Sequence, residues 1–493
     1  MSPSDISGRL DASYFHHGYL SLDSSLAHFP RQDVVPLDRC LVNPRRVLYQ
    51  KTTSFAADDA PEGGVPFISG VDLDGSTMTV NWSSVRYVER WMLDRYPKGR
   101  LTDGSLLIKV KGPNQHTAFV SKADQTALVS GTVFFSQVRG CNPFYLAGYL
   151  SSRHGTAWRS RLRTNTTVEF IGNEELRAVP VLLPDRRIQD YIGAKVELAE
   201  RCRAVSSRSW LLATELLGAA LGAPLTPETF EVKSASNVSG SGYEVTSIRP
   251  VVALVSPVRL EGAIGAQFFT PRRAKAIVVI EQSGLDAKRL SALADRFTKR
   301  VSADEVQARG LSYVGLAQVD SSTGYVSTAT DEQPSSSSAC FGARDILFSK
   351  LRPYLNKVAI CPEHLVEAAG STELVTYRAK PGVDPYYVFF VLKSPLVLNQ
   401  VIDITSGSTH PRVDPVLIDD VLVPLAEAPV QRRIGRLARA ALELMRRATL
   451  LVEDAKADVE ALIEGTLDVQ AILAGTLKPP TADDIPELAE DDA

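Results

Sequence analysis

The chain has 493 residues, 44% hydrophobic and 23% charged, with a net charge of −3; that is room for three or four average domains, and the charge argues weakly against a simple nucleic-acid binder. Its most apolar helical stretch, Trp210 to Leu221, is too short to cross a bilayer and carries Glu215, and the start Met1-Ser2-Pro3-Ser4-Asp5-Ile6 lacks the basic and apolar blocks of a signal peptide, so a cytoplasmic protein is expected. Cys40, Cys141, Cys202, Cys340 and Cys361 are odd in number and show no CxxC spacing, which excludes a disulfide framework and a zinc site and leaves buried or incidental thiols.

The chain opens on an arm, Arg9-Leu10-Asp11-Ala12 followed by Tyr14-Phe15. Short β-like runs come next, Val65–Ile68, Leu106–Ile108 and Val133–Phe135, with a turn-forming segment at Asp72–Gly75. An apolar strand ends in a proline at Val179–Pro184, and the periodicity then changes from two to three and a half. Ile188, Ile192, Val196, Ala199, Cys202, Val205, Leu212 and Leu216 mark the apolar stripe of a long helix. Ser234–Gly242 is composed as a flexible linker. A second arm, Arg259-Leu260-Glu261-Gly262 with Phe268-Phe269, precedes the β-like runs Leu311–Val314, Ile346–Phe348 and Val358–Ile360, with a turn at Asp320–Gly324. Val421–Pro424 is another apolar strand into proline. Beyond it Ile434, Leu437, Ala441, Leu444, Ala448, Leu451, Ala455, Val459 and Leu462 form a coiled-coil seam.

The two halves are copies. An offset of 242 aligns Pro143 with Pro385, Tyr145 with Tyr387, Leu150 with Leu392, Ser152 with Ser394 and Thr167 with Thr409, then Val179 with Val421, Val181 with Val423, Gln189 with Gln431, Ile192 with Ile434 and Gly193 with Gly435. Chance would supply roughly three such identities, and a period this long means two domains rather than a solenoid. Each copy therefore holds a compact mainly β or α+β globule followed by a long helix. Two narrow apolar stripes are buried most simply against each other, and antiparallel pairing would set a pseudo-twofold between the globules.

Segments present in both copies resemble the specificity (S) subunits of type I restriction-modification systems. One is Asp345–Lys357, with a weaker first copy in Asp103–Lys111; another is Asp384–Ser394 beside Asn142–Ser152; the third is the junction of apolar strand, proline and Gln-x-x-Ile-Gly at Gln189 and Gln431. The resemblance implies an α+β fold: two globular mixed α/β target recognition domains joined by two long helices in an antiparallel coiled coil. On this reading residues 1–184 are the first recognition domain with its arm, 185–221 the first long helix and 222–258 the linker. The second domain with its arm is 259–426, the second long helix 427–466 and an acidic tail 467–493. The implied function is a subunit without chemistry of its own that recognises a bipartite target in double-stranded DNA and positions two copies of a DNA adenine methyltransferase subunit, with a motor-nuclease restriction subunit as an optional further partner. A methylation-only phage-defence system and a protein scaffold without DNA readout are the alternatives. The first domain departs from the pattern, having Lys109-Val110-Lys111-Gly112-Pro113 where the second has Lys350-Leu351-Arg352-Pro353-Tyr354.

Catalytic signals are weak. Asn142-Pro143-Phe144-Tyr145 looks like a degraded Asn-Pro-Pro-Tyr/Phe base-flipping motif, but its counterpart is Asp384-Pro385-Tyr386-Tyr387 and no Gly-rich turn supplies a place for a methyl donor. No GxxxxGK[ST] loop occurs, and no cofactor or metal is expected. The basic clusters are more promising. Lys109, Lys111, Arg153, Arg159, Arg161 and Arg163, with Thr164 to Thr167 following, stand in the first copy; Lys350, Arg352, Lys357, Ser408, Thr409, His410 and Arg412 in the second. Arg and Lys supply phosphate contacts and the guanine-gripping fork, and Ser, Thr and Asn reach base edges or backbone. The acidic tail hides this character: residues 1–184 hold 20 Lys+Arg against 17 Asp+Glu, whereas the last eleven residues hold six acids and no base.

Overall fold

A computed structural model describes residues 17–49, 63–82, 84–113, 115–123, 125–164, 169–230, 239–240, 243–248, 251–255, 265–327, 334 and 336–489. The fold is mixed α/β, with helices and several small sheets. It divides into two compact units, residues 1–204 with 446–493 and residues 205–445.

Both units are built on the same four-stranded antiparallel sheet. In the first, the order is Leu41–Arg45, Val133–Val138, Ser105–Lys109 and Thr117–Val120; in the second, Ala294–Phe297, Leu374–Ala379, Ile346–Ser349 and Val358–Ile360. Ser105–Lys109 and Ile346–Ser349 are buried at every position, as strands covered on both faces must be. A two-stranded ladder closes each unit, Val34–Pro36 with Pro180–Leu182 and Asp286–Arg289 with Leu422–Leu425. A second sheet in each contains one parallel pair, Phe67 opposite Leu128 and Tyr313 opposite Ala369.

The repeated identities make repeated contacts. Pro143 and Pro385 open nine-residue helices, Pro143–Ser151 and Pro385–Lys393, at the position where a missing N–H costs nothing. The side chains of Asn142 and Asp384 cap them, accepting from the amides two and three residues on. Tyr145 donates its hydroxyl to Leu182 O at 2.7 Å and Tyr387 to Pro424 O at 2.7 Å, tying each helix to its closing ladder. Gln189 and Gln431 donate to the carbonyls of Pro184 and Ala426. A Cβ on Gly193 would lie 2.5 Å from the Asn142 side-chain oxygen, and one on Gly435 would meet the Asp384 carboxylate, so glycine lets each long helix pass against the cap.

The long helices are Arg186–Leu221 and Ala428–Glu464. On the second, Ile434, Ala441, Leu444, Ala448, Leu451, Ala455, Val459 and Leu462 are buried, with Leu437 partly so. On the first, Ile188 to Val205 follow the expected stripe, but the stripe then runs through Ser206, Ser209, Ala213, Leu217 and Leu221 rather than Leu212 and Leu216. Two serines carry the seam across the turn where an apolar scan loses it, and Ser206 Oγ donates to Ala441 O at 2.8 Å. In the first unit Lys195 and Asp458 form a largely buried ion pair at 2.6 Å.

Two stretches carry structure that the sequence reading did not assign to them. Tyr243–Ile248 and Val251–Val255 form an antiparallel hairpin inside the segment read as a linker; its β-branched residues outweigh the preceding Ser/Gly run. The acidic tail is folded through residue 489: Ile472, Ile485 and Leu488 are buried, and Leu473 O accepts from Arg187. The five cysteines are free and buried.

Candidate nucleic-acid interface

In the second unit, strand Ile346–Ser349 runs into Lys350-Leu351-Arg352, and the chain then makes a single 3-10 turn, Pro353–Leu355. Arg352 and Asn356 flank this turn in the left-handed region, at φ 48° each. That is uncommon for side chains with a Cβ and persists only where surroundings hold it. Here they do. The Arg352 amide donates to Pro411 O at 2.7 Å, Leu351 bridges Arg412, and Val413 donates to Lys350 O. The turn is thereby fastened to the hairpin Thr405–Ser406 with Arg412–Val413, whose tip exposes Ser408, Thr409 and His410. Tyr354 and Leu355 are turned to solvent at 49% and 39% exposure. An arginine, an exposed aromatic, two hydroxyl residues and a histidine thus share one rigid edge, which suits backbone contact and base-edge or stacking contact together.

Not every cation singled out belongs to it. Arg412 grips Glu373 through Nε and Nη2, the latter at 2.8 Å, and Lys350 lies 4.0 Å from the same carboxylate. Both therefore belong to a partly neutralised cluster around Glu373. Lys357 is a correction: its ammonium donates to Leu316 O and Val319 O, and burial pushes its pKa down, so it fastens a loop instead of facing DNA.

The first unit needs larger corrections. Arg159 has no exposed surface; it donates to Leu150 O at 2.7 Å and Gln115 O at 2.9 Å, and burial brings its pKa down to about 9. Arg161 is buried, its guanidinium 5.3 Å from the centre of the Trp158 ring. Lys109 is buried, with its pKa lowered by burial and by Arg163. Arg163, with only 15% of its side chain exposed, donates to Gly112 O, Pro113 O and Glu169. These four are turned inward, and Arg159 and Arg163 bind carbonyls of the unit itself. Arg153 is exposed but pairs with Glu464 at 2.7 Å and Glu460 at 3.5 Å. Lys111 remains exposed, bridged to Phe170 as Leu351 is to Arg412. Asn165, Thr166 and Thr167 lie outside the described residues.

Beneath the exposed edge the copies diverge in a way the sequence scan missed. Lys393, at the end of helix Pro385–Lys393, donates to Ser321 O and Asn356 O, and burial lowers its pKa to about 7 against the opposing pull of Asp320. The equivalent residue in the first unit is Ser151, whose buried hydroxyl has no hydrogen-bond partner among the described residues. A cavity of about 580 Å³ opens there, lined among others by Asp74, Gln115, His116, Thr156 and Lys456. Among the described residues no group of His, Cys, Asp and Glu could hold a metal ion, and no helix is long and apolar enough to cross a membrane.

No protein-family model matches the chain, and no curated protein matches it. Matches among solved structures include the S subunit of a type I restriction-modification system from M. genitalium, at 11% identity over 88% of this chain and 95% of that one, with a TM-score of 0.41. The HsdS subunit from Thermoanaerobacter tengcongensis matches at 14% identity over 88% and 97%, TM-score 0.29. A chain from a study of complex assembly and conformational transition in the type I R-M system matches at 12% identity over 89% and 97%, TM-score 0.27. The solved chains to which this one is similar along most of its length thus include two specificity subunits of type I restriction-modification systems.

Proposed function

We propose that the chain is the sequence-reading, non-catalytic subunit of a DNA methylation complex of the type I kind, with one reader in each half. The observation that carries this is the duplication. Two units repeat one sheet order, one capped helix and one tyrosine latch, and in each a strand leads into a turn bridged to a second segment, at Leu351 with Arg412 and at Lys111 with Phe170. A duplicated reader suits a target in two parts. The domains are taken as 1–184 and 259–426, and the long helices as an antiparallel coiled coil that spaces them. Lys195 with Asp458 in one unit and Ser206 with Ala441 in the other support that pairing. A helix of 36 residues measures about 54 Å at 1.5 Å per residue, comparable to one and a half turns of duplex. The partners on this reading are double-stranded DNA, two copies of an adenine methyltransferase subunit and, where the system also cleaves, a motor-nuclease subunit.

The number of cations turned inward in the first unit favours a second reading, a protein scaffold without DNA readout. Titration of duplex DNA at rising salt separates the two. Phosphate neutralisation makes log K fall linearly with log salt, by about 0.9 for each phosphate contacted. A duplex affinity that is negligible, or flat across the salt series, removes the DNA reading and leaves the scaffold.

A further inference from the structure

The second long helix begins with three arginines that the unit does not use. Arg432, Arg433 and Arg436 are exposed and make no hydrogen bond or ion pair within the described residues. Arg289 pairs with Asp420, Arg378 with Asp345, Arg412 with Glu373 and Arg439 with Glu363, while Arg300, on a strand, and Arg344, in a turn, are exposed singly without such a partner among the described residues. Arg432 and Arg436, one helical turn apart, line with Pro429 and Asp384 an open cavity of about 300 Å³. Asp384 Oδ1 is occupied in capping helix Pro385–Lys393.

The first unit reverses this face. At the offset of 242, Arg432 becomes Asp190, Arg433 becomes Tyr191, Arg436 becomes Ala194 and Arg439 becomes Glu197. The cap there is the neutral Asn142, which donates to Asp190 at 2.8 Å, and Arg186 donates to the same carboxylate oxygen. That network is closed. The two junctions share a backbone and differ in sign.

We propose that the Arg432, Arg433 and Arg436 face seats a carboxylate-bearing surface of the methyltransferase partner, that the other unit has no such seat, and that the two partner copies therefore bind with unequal affinity. This rests on the function proposed above. A protein surface fits better than a phosphate track for two reasons. The face lies at the Asp384 end of helix Pro385–Lys393, while the Arg352 turn is fastened near the Lys393 end through Asn356, about 13 Å away along nine residues. The cavity also presents Asp384 beside its arginines, and a protein partner offers donors for a carboxylate where a phosphodiester offers none.

The test is native mass spectrometry of the chain with its methyltransferase subunit at rising ammonium acetate concentration. The native chain should pass through a 1:1 species before both copies are released. Arg432→Glu with Arg436→Glu should weaken the first binding event by roughly tenfold or more and erase that plateau, with thermal unfolding unchanged because both side chains are exposed. Simultaneous release of both copies from the native chain overturns the proposal, as does a variant that keeps the native salt profile. So does a variant whose duplex affinity falls in the absence of the partner, which would make the face a phosphate track. A native chain that takes up no methyltransferase overturns the functional reading itself, a result distinct from these.

Discussion

Removing the ammonium of Lys195 should cost more than any exposed ion pair in the molecule. Lys195 and Asp458 lie 2.6 Å apart with side chains 11% and 16% exposed, one on each long helix within the first unit. Lys195→Met leaves a desolvated carboxylate facing an apolar stem. Breaking a buried pair from one side costs about 3 to 5 kcal/mol, and the residual exposure here sets the expectation at about 3 kcal/mol. For a unit of this size that is a fall in melting temperature of roughly 6 to 12 °C. Amide hydrogen exchange across residues 186–204 and 446–464 reads the opening free energy of the first unit alone. The penalty should also depend on pH. Burial, the largest influence on Asp458, holds its pKa above the usual value despite Lys195. The ionised form is therefore disfavoured by folding, and its cost is present above the folded pKa and disappears as acidification protonates the group. The Lys195→Met defect should accordingly shrink as pH falls towards about 4. Adding Asp458→Leu removes the orphaned charge and should return stability to within about 1 kcal/mol of the native chain. The reasoning is refuted if Lys195→Met costs less than about 0.5 kcal/mol, or if the double variant is no better than the single one.

Arg352→Ala with His410→Ala should weaken duplex binding and degrade one half of the methylated motif, by about 1 to 3 kcal/mol for each base-edge hydrogen-bonding group removed, with unfolding unchanged; degradation of both half-motifs would defeat the two-reader model. Arg159→Leu should instead destabilise the first unit, because Leu150 O and Gln115 O lose their shared donor; a purely DNA-binding defect in a stably folded variant would show the residue misplaced. Lys393, its pKa lowered by burial to about 7 against an unfolded value of about 10.4, binds more protons unfolded than folded between those limits, so stability of the second unit should rise from pH 7 to 9; Lys393→Met should flatten that rise, and an unchanged slope would reject the assignment. Leu444→Asp places a carboxylate in a fully buried position of the seam, and small-angle scattering should report separated helices; an unchanged profile would exclude the helix-pair spacer.

The periodic parts of the chain were legible in advance. The second long helix ends two residues past the last apolar position of its period, Leu462, and the first five past Leu216, and the strands at Val65, Leu106, Val133, Ile346 and Val358 stand where β-branched and aromatic runs meet turn formers. What failed was the assignment of polar side chains to inside or outside. Ser206 and Ser209 lie in the buried seam although an apolar count skips them. Arg159 follows Gly155 by one helical turn on the buried face of helix Arg153–Arg161, so its spacing held a signal that its charge concealed. Lys393 closes an otherwise apolar helix, and only the carbonyls of Ser321 and Asn356, distant in sequence, explain its burial. The Arg352 edge was visible as composition, but its rigidity comes from a left-handed turn tied to a hairpin some 60 residues on.

The way the chain divides has a consequence for synthesis. The second unit is one uninterrupted stretch, residues 205–445, whereas the first closes only when residues 446–493 join residues 1–204. At about 5 to 20 residues per second, the ribosome takes on the order of 12 to 50 s to cross that gap. Throughout it the Lys195 face of the first helix waits without Asp458, and when residue 445 is made the second unit has everything it needs while the first still lacks Asp458, Ile472 and Leu488. The half made first is thus the half finished last, and truncation anywhere beyond residue 445 should release a folded second unit attached to an unfinished first one.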